Sequence, residues 1–250
     1  MGANTSARAR FFSRAASTYD DDSMAQTKAA RRLFNLTRSR LAKRTPRILE
    51  VGCGTGTLSK MLLTLDPSCL SLADISEGML DECKKRVGNN GYLQYIKADC
   101  ESADFGEIYD LVVSSSAMQW FHDFRHGLLN LRQALTDDGL MAFFMFTEGT
   151  FEEIKNISGD GIPYLDDSEV RLIVNKALEN PQFEYFDYRT HYKDCMSMLR
   201  SLKASGVSGT GNRIWTKGKL TRFIKEYTQK YSDNEGVYLS WHGIFVSGVK

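Results

Sequence analysis

The sequence has few of the residues that hold metals or form disulfides. Its 250 residues include 4 histidines and 5 cysteines. The cysteines show no C-x-x-C or other metal-ligand spacing, so we expect reduced thiols in a cytoplasmic protein. His122 and His126 stand one helical turn apart, an alternative metal pair that we set aside. We therefore expect no metal.

Long apolar runs are also missing. The longest, Leu140 to Phe146, is far too short to cross a bilayer, so we expect no membrane partner. The first residues, Met1 to Ser6, match a loose myristoylation pattern, and the arginines that follow resemble a transit peptide. We favour a mostly flexible start followed by functional residues.

The net charge of +1 conceals a strong segregation along the chain. Residues 1–47 carry 11 lysines and arginines against 3 acidic residues, whereas residues 48–150 carry 7 against 15. The basic segment is either a solvated helix face or a docking surface for an acidic partner. No nucleic-acid-binding motif accompanies it, so we expect no nucleic acid partner.

The stretch RILEVGCGTGT, at 47–57, is the most informative. A short apolar run ends in three glycines, and apolar residues then recur at helical spacing, which predicts a strand, a glycine loop and a helix. Gly52, Gly54 and Gly56 follow the pattern G-x-G-x-G, whereas a dinucleotide fingerprint reads G-x-G-x-x-G. Glu50, at the strand end, would repel a pyrophosphate but favour a cationic amino group. The pattern resembles motif I of class I S-adenosylmethionine (SAM) methyltransferases.

Carboxylates follow the next two predicted strands. Asp74 ends the second strand and suits the two hydroxyls of a ribose, a device that NAD enzymes share. Asp99 and Cys100 follow the third strand. In the methyltransferases that the chain resembles, this acidic residue reads the adenine amino group, although Asp99 alone could equally cap a helix.

Strand and helix alternate along the first 147 residues, which predicts an α/β, doubly wound, mostly parallel sheet. We expect seven strands, an antiparallel last strand and helical lid insertions in a single domain. Its predicted parts are an N-terminal helical cap at 1–46, a cofactor-binding core at 47–147, a lid insertion at 148–182, and C-terminal strands with substrate-side helices at 183–250.

Four further stretches resemble one methyltransferase family along nearly the whole chain. They are FFSRAASTYD at 11–20 with Gln26 downstream, SSSAMQW at 114–120, MSMLRSLKASGVSGTGNR at 196–213 and LTRFIKEY at 220–227. In this combination the chain resembles the malonyl-[acyl-carrier protein] O-methyltransferases of biotin synthesis. It departs from that family in the closing strand, where Trp241-His242 replaces a frequent Tyr-His.

The resemblance implies methylation of the free carboxylate of malonyl-acyl carrier protein or malonyl-CoA, with SAM as donor and S-adenosylhomocysteine as product. It implies an acidic carrier protein as partner and a monomeric enzyme. It adds Ile75, Ser114, Tyr19 and Gln26 to the cofactor set. The implied catalytic residues are Tyr19, Trp120, Arg200 and Lys203, with Arg200 clamping the substrate carboxylate.

Two alternatives remain open at this point. The chain could methylate another small acid or a quinone, or it could be a SAM-binding assembly protein that methylates nothing.

Overall fold

The structure is a computed structural model that describes residues 5–106, 108–159, 161–204 and 216–250, leaving out the side chains of residues 5–8 and 21. Some predictions lie outside the described residues: the myristoylation pattern over residues 1–4, residue 160 of the lid insertion, and the family-like segment beyond Ala204.

Helices and strands alternate over most of residues 24–146. The helices are α1 (Thr5–Ala15), α2 (Met24–Arg40), α3 (Thr57–Leu62), α4 (Glu77–Val87), α5 (Phe124–Gln133), α6 (Glu152–Ser158), α7 (Asp167–Ala177), α8 (Cys195–Ala204) and α9 (Lys217–Lys230). The strands are β1 (Arg47–Val51), β2 (Cys69–Asp74), β3 (Leu93–Lys97), β4 (Tyr109–Ser115), β5 (Leu135–Phe146), β6 (Glu179–Tyr192), β7 (Ser232–Asp233) and β8 (Gly236–Val249). Short 3₁₀ helices cover Tyr19–Asp22, Leu63–Leu65 and Met118–Trp120.

The strands form one sheet in the order β3-β2-β1-β4-β5-β8-β6, with the two-residue β7 paired to β8. The first five are parallel, and β8 runs antiparallel between β5 and β6. The predicted doubly wound sheet with an antiparallel last strand is confirmed. Its seven long strands match the predicted number, and β7 is an addition that the sequence did not reveal.

Two hydrophobic clusters hold the layers together, one on each face of the sheet. Leu49 and Val51 of β1 belong to one cluster and Ile48 to the other, because successive side chains of a strand point to opposite faces. All three are fully buried, as expected for a central parallel strand covered by helices on both sides. This packing fixes the position at which β1 ends and the glycine loop begins.

Side-chain caps set where two core helices begin. The Ser76 hydroxyl accepts a hydrogen bond from the backbone N–H of Met79, as the sequence predicts for α4. The Asp123 carboxylate accepts one from the N–H of His126 and starts α5. These caps place the loops between strand and helix at the carboxyl edge of the sheet.

Two local predictions need correction, and one left open is decided. The sequence predicts that Asp137-Asp138-Gly139 ends α5, but this triplet lies within β5, where the pairing shifts register and the two exposed aspartates bulge outward. For Gly243 the sequence predicts either a bulge or a close approach; the strand pairing is regular there, and a Cβ would lie 2.6 Å from the ring of Phe144, so the close approach is what the structure shows. The predicted flexible start gives way to helix α1 already at Thr5.

The region after β5 contains α6 and α7, of which only α7 was predicted. Residue Asp166 starts α7 with a capping box formed with Glu169. The division of the domain into cap, core, lid and C-terminal part stays a prediction. No described helix is long and apolar enough to cross a membrane.

Candidate active site

A large cavity opens where β1, β2 and β4 end. The ends of these strands form one side, and residues of α1, α2 and the 3₁₀ helix at 19–22 cover it from above. It encloses about 1110 Å³ of empty space, including its open mouth. Because ligands of doubly wound sheets bind outside the carboxyl ends of the strands, this cavity is the candidate active site.

The glycine loop lets the backbone turn into the cavity floor. Gly52 has φ +68°, and a Cβ there would lie 2.2 Å from the Cβ of Ala117. Gly54 has φ +53° and lines the cavity, and no atom lies within 4 Å of the position that a Cβ would take. Gly56 does not line the cavity; a Cβ there would lie 2.9 Å from the sulfur of Cys83. Its role is therefore the packing of α3 on α4.

Asp74 is buried at the end of β2 and is held by the backbone. One carboxylate oxygen accepts a hydrogen bond from the N–H of Gly54 at 3.0 Å, and the other accepts one from Ser76 at 2.8 Å. Burial raises its pKa, and these hydrogen bonds work against the rise. Each oxygen keeps a lone pair, so the carboxylate can accept the hydroxyls of a ribose.

Glu50 and Gln26 both line the cavity and contribute polar atoms to it. One carboxylate oxygen of Glu50 and both amide atoms of Gln26 are buried and find no partner in the part of the chain that is described. The pKa of Glu50 lies well above its ordinary value, chiefly because burial penalises the charged form and also because of nearby Cys83. A cationic group beside Glu50 would offset that penalty, and an amino-acid tail could use all three atoms.

The far end of the cavity is formed by the loops after β2 and β3. Ile75, Asp99 and Cys100 line it, with Cys100 buried. One Asp99 oxygen accepts from the N–H of Glu101 at 3.2 Å, so both the predicted ligand role and a local turn role are compatible with its contacts. An adenine between these residues would complete a nucleoside site with Asp74.

A hydrogen bond to the glycine loop and an ion pair to α4 hold the N-terminal segment in place. Asp20 accepts a hydrogen bond from the Thr55 hydroxyl at 2.7 Å and pairs with Arg86 of α4. Arg86 also donates a hydrogen bond to the hydroxyl oxygen of Thr57 at 2.8 Å. We call these four residues the latch. The latch holds the neighbouring Tyr19 over the cavity.

Aromatic rings form the remaining wall. Trp120 lies edge-on to Phe12 of α1, with ring centroids 6.0 Å apart, and edge-on to Tyr164 at 6.5 Å. Phe12, Tyr19 and Trp120 line the cavity. Burial raises the pKa of Tyr19 far above its ordinary value, and the nearby Asp74 adds to the rise, so its phenol stays protonated. This wall can exclude water from a reacting group.

Most predicted site residues lie together in the lining. These are Tyr19, Gln26, Glu50, Gly52, Gly54, Asp74, Ile75, Asp99, Cys100 and Trp120. Ser114 lies beneath the floor instead, where its hydroxyl donates to the carbonyl of Val51 at 2.9 Å. Arg200 and Lys203 are exposed on α8 and do not line the cavity, so the clamp stays a prediction without a contact to support it.

Sequence reasoning missed several lining residues. Ser116 lines the cavity with a left-handed backbone, φ +60°, which is uncommon outside glycine. Phe12, Cys53 and Thr55 also line it. The predicted motifs already contained all four, so their positions within FFSRAASTYD, GCGTG and SSSAMQW were the available signal. Among the described residues, no cluster of three or more metal-binding side chains is present.

The comparisons with known proteins agree with this geometry. Residues 48–139 match the family model described as a methyltransferase domain. The malonyl-[acyl-carrier protein] O-methyltransferase of Bacteroides helcogenes is 30% identical over 94% of this chain and 94% of its own. The YcgJ protein of Bacillus subtilis superposes with a TM-score of 0.66 at 13% identity, over 88% of this chain and 98% of its own.

A further solved structure shows the same fold with a ligand. The phosphoethanolamine N-methyltransferase 2 of Haemonchus contortus, in complex with S-adenosyl-L-methionine, has a TM-score of 0.57 at 17% identity. The match covers 88% of this chain and 52% of that protein.

Proposed function

The chain belongs to the family of malonyl-[acyl-carrier protein] O-methyltransferases, and from that premise we propose that it methylates the free carboxylate of a malonyl thioester carried by acyl carrier protein. The observation that carries the proposal is the cavity, in which Glu50 and Gln26 have polar atoms without a partner among the described residues and Asp74 keeps lone pairs, a set that suits a nucleoside with a cationic tail. The ester produced would enter biotin synthesis, as the family name implies.

Residues of this chain would hold SAM along the cavity. Glu50 and Gln26 suit its amino-acid tail, Asp74 its ribose, and Asp99 with Cys100 its adenine. When bound, SAM supplies an electrophilic methyl group on a positively charged sulfur. The residues of the glycine loop bring the backbone close to that part of the ligand, because they have no side chains in the way.

The acceptor needs no general base. A malonyl carboxylate is ionised at neutral pH and is already a nucleophile. The carboxylate oxygen forms a bond to the methyl carbon while the sulfur–methyl bond breaks, its electron pair stays on sulfur, and no proton moves. The task of the chain is to orient the two groups and exclude water, which can supply several kcal/mol. The wall formed by Phe12, Tyr19 and Trp120 suits that task.

A direct assay tests the proposal. The protein is incubated with methyl-labelled SAM and malonyl-acyl carrier protein, and the carrier is analysed for a base-labile methyl ester. We expect stoichiometric label on the malonyl group and none on acetyl-acyl carrier protein, which has no free carboxylate. Label on a quinone or another small acid, with none on the malonyl carrier, would support the alternative functions instead.

The carrier protein is a proposed partner, and the basic residues of α2 are candidates for its docking. Several of these residues are engaged within the chain: Arg32 pairs with Glu184, Arg40 donates to Ser247, and Lys28 lies over the Tyr188 ring. Arg31 and Arg38 are exposed, and Arg38 stacks on Phe34 of its own helix. These two are the candidates that the structure leaves for docking.

We expect the double reversal Arg31→Glu, Arg38→Glu to raise KM for malonyl-acyl carrier protein by about threefold to tenfold, because surface charges steer an acidic partner. KM for malonyl-CoA should change by less than about twofold. The double reversal Lys219→Glu, Lys225→Glu on α9 makes the same change of charge elsewhere and serves as the control. Equal effects on both substrates would identify the α2 arginines as a solvated face.

We also propose that the enzyme acts as a monomer in the cytoplasm.

A further inference from the structure

The cavity lining is rich in acidic groups. Its described residues include the carboxylates Glu50, Asp74, Asp99 and Glu101 but no lysine, arginine or histidine. A negatively charged substrate that enters this cavity therefore meets no positive side chain among them. Burying an unpaired carboxylate costs several kcal/mol or more, so the charge must be compensated in another way.

Two neutral hydrogen-bond donors lie in the cavity lining or next to it, and Ser116 is the one that lines the cavity. The hydroxyl oxygen of Ser116 is buried, and it finds no hydrogen-bond partner among the residues described. Its left-handed backbone is held from two sides: its N–H donates to the carbonyl of Phe144 at 2.9 Å, and its carbonyl accepts from the amide of Gln119 at 2.8 Å. Such a backbone costs free energy, and residues of this kind cluster at functional sites.

Tyr164, which stands next to the lining residue Trp120 rather than in the lining itself, supplies a second hydroxyl without a partner among the described residues. Its oxygen is buried and has no partner within the described ranges, and its ring stands edge-on to Trp120, which lines the cavity. Burial raises the pKa of this phenol far above its ordinary value, and Tyr19 close by adds to the rise. The hydroxyl therefore stays protonated at every physiological pH and can always donate a hydrogen bond.

We propose that Ser116 and Tyr164 bind the acceptor carboxylate as neutral hydrogen-bond donors, and that the positive charge compensating this carboxylate is the sulfonium of bound SAM rather than a basic side chain. The inference rests on the proposed function and deepens it. Neutral donors orient the carboxylate without the strong ionic grip of an arginine, so an oxygen lone pair remains reactive.

The order of binding follows from these charges. Without SAM the described lining offers the substrate carboxylate no positive charge, so the donor binds first. Methyl transfer converts a sulfonium and a carboxylate into a neutral thioether and a neutral ester. The two products no longer attract each other, and the methylated substrate is released from a cavity that has lost its positive charge.

The first test uses Ser116→Ala, Ser116→Gly and Tyr164→Phe, with Tyr185→Phe as the matched control. Tyr185 is 45% exposed and its hydroxyl accepts from Arg171, away from the cavity. We expect kcat/KM for malonyl-acyl carrier protein to fall by about tenfold to hundredfold in the first three variants, the range for a hydrogen bond to a charged group. The Kd of SAM should stay within about twofold. Glycine relieves the backbone at position 116, so an equal loss in both Ser116 variants assigns the effect to the hydroxyl.

The second test measures binding without turnover. Calorimetry follows malonyl-acyl carrier protein binding to the protein saturated with either sinefungin, whose amine is positive where the sulfonium would be, or neutral S-adenosylhomocysteine. We expect binding at least about tenfold tighter with sinefungin, and weaker binding again in Tyr164→Phe.

The outcomes separate the two proposals. A wild-type protein that does not methylate malonyl-acyl carrier protein overturns the proposed function. A wild-type protein that does so, while the Ser116 and Tyr164 variants retain its kcat/KM, overturns the assignment of these donors. Loss of SAM affinity in the same variants also overturns it, since the residues would then serve the cofactor. Equal substrate affinity with sinefungin and S-adenosylhomocysteine overturns the role of the sulfonium.

Discussion

We expect Gly52→Ala to raise the Kd of SAM by about a hundredfold or more. The added Cβ would lie 2.2 Å from the Cβ of Ala117, a distance that non-bonded carbons do not adopt, and φ is +68°. Left-handed strain and overpacking each cost about 1–3 kcal/mol, so the loop must move away from Ala117. The N–H groups of Gly52 and Cys53, which both donate to Ala73, would move with it. Calorimetry gives the affinity, and thermal melting should show a loss of several degrees.

Gly54→Ala is the matched control, because it adds the same methyl group two residues away. Its φ of +53° is strained for alanine as well, but no atom lies within 4 Å of the new Cβ. We expect a smaller loss of stability, about 1–2 kcal/mol, and a loss of SAM affinity of about tenfold where the methyl enters the cavity. Similar melting temperatures for the two variants would contradict the tight contact between Gly52 and Ala117.

Glu50→Gln should weaken SAM binding by about thirtyfold or more while leaving the ligand-free protein at least as stable at pH 7. Removing one partner of a buried charge pair costs about 2–5 kcal/mol of binding. The buried carboxyl has a pKa well above the ordinary value of 4.5, so the ligand-free protein favours its protonated form. SAM favours the ionised form, and binding therefore releases a proton. The wild-type affinity should rise with pH up to the pKa of the ligand-free protein, and the glutamine variant should lose this dependence.

The raised pKa of Glu50 also determines how the folding stability of the ligand-free protein changes with pH. Because the folded pKa is raised, the folded chain binds more protons than the unfolded chain above pH 4.5. The contribution of Glu50 is fully present below that pH and is lost as pH rises through the folded pKa. Urea titrations between pH 5 and pH 8 should show the glutamine variant gaining stability relative to wild type as pH rises. A glutamine variant that is less stable at every pH would show that the carboxylate serves the fold rather than the ligand.

The sequence predicted the cofactor half of the site well because that half is local. Residues 47–62 form strand, loop and helix from their own spacing, and Asp74 and Asp99 lie at the ends of predicted strands. Parallel strands bring their carboxyl ends to one edge, so these residues meet without any long-range information. Ten of the fourteen residues predicted for cofactor or catalysis line the cavity as a result.

The substrate half depends on contacts that spacing does not encode. Arg200 and Lys203 lie on the exposed face of α8, because Met198 and Leu202 of the same helix turn inward to the core. Tyr164 belongs to an irregular segment between α6 and α7 and meets Trp120 through packing between distant parts of the chain. The strained backbone of Ser116 likewise depends on a hydrogen bond to β5. Periodicity predicts neither the contact between Tyr164 and Trp120 nor the backbone conformation of Ser116, because both are decided by tertiary packing.

The place of β8 in the sheet determines when this protein can fold during its synthesis. Strand β6 pairs with β8 along its whole length and, among the described strands, with no other; β8 in turn separates it from β5. As the ribosome emits the chain, β6 appears more than forty residues before its partner is finished. Until Val249 is free, β5 and β6 each keep an open hydrogen-bonding edge, which is the kind of surface on which nascent chains aggregate. We therefore expect the nascent chain to bind chaperones most strongly while residues 193–249 are being synthesised.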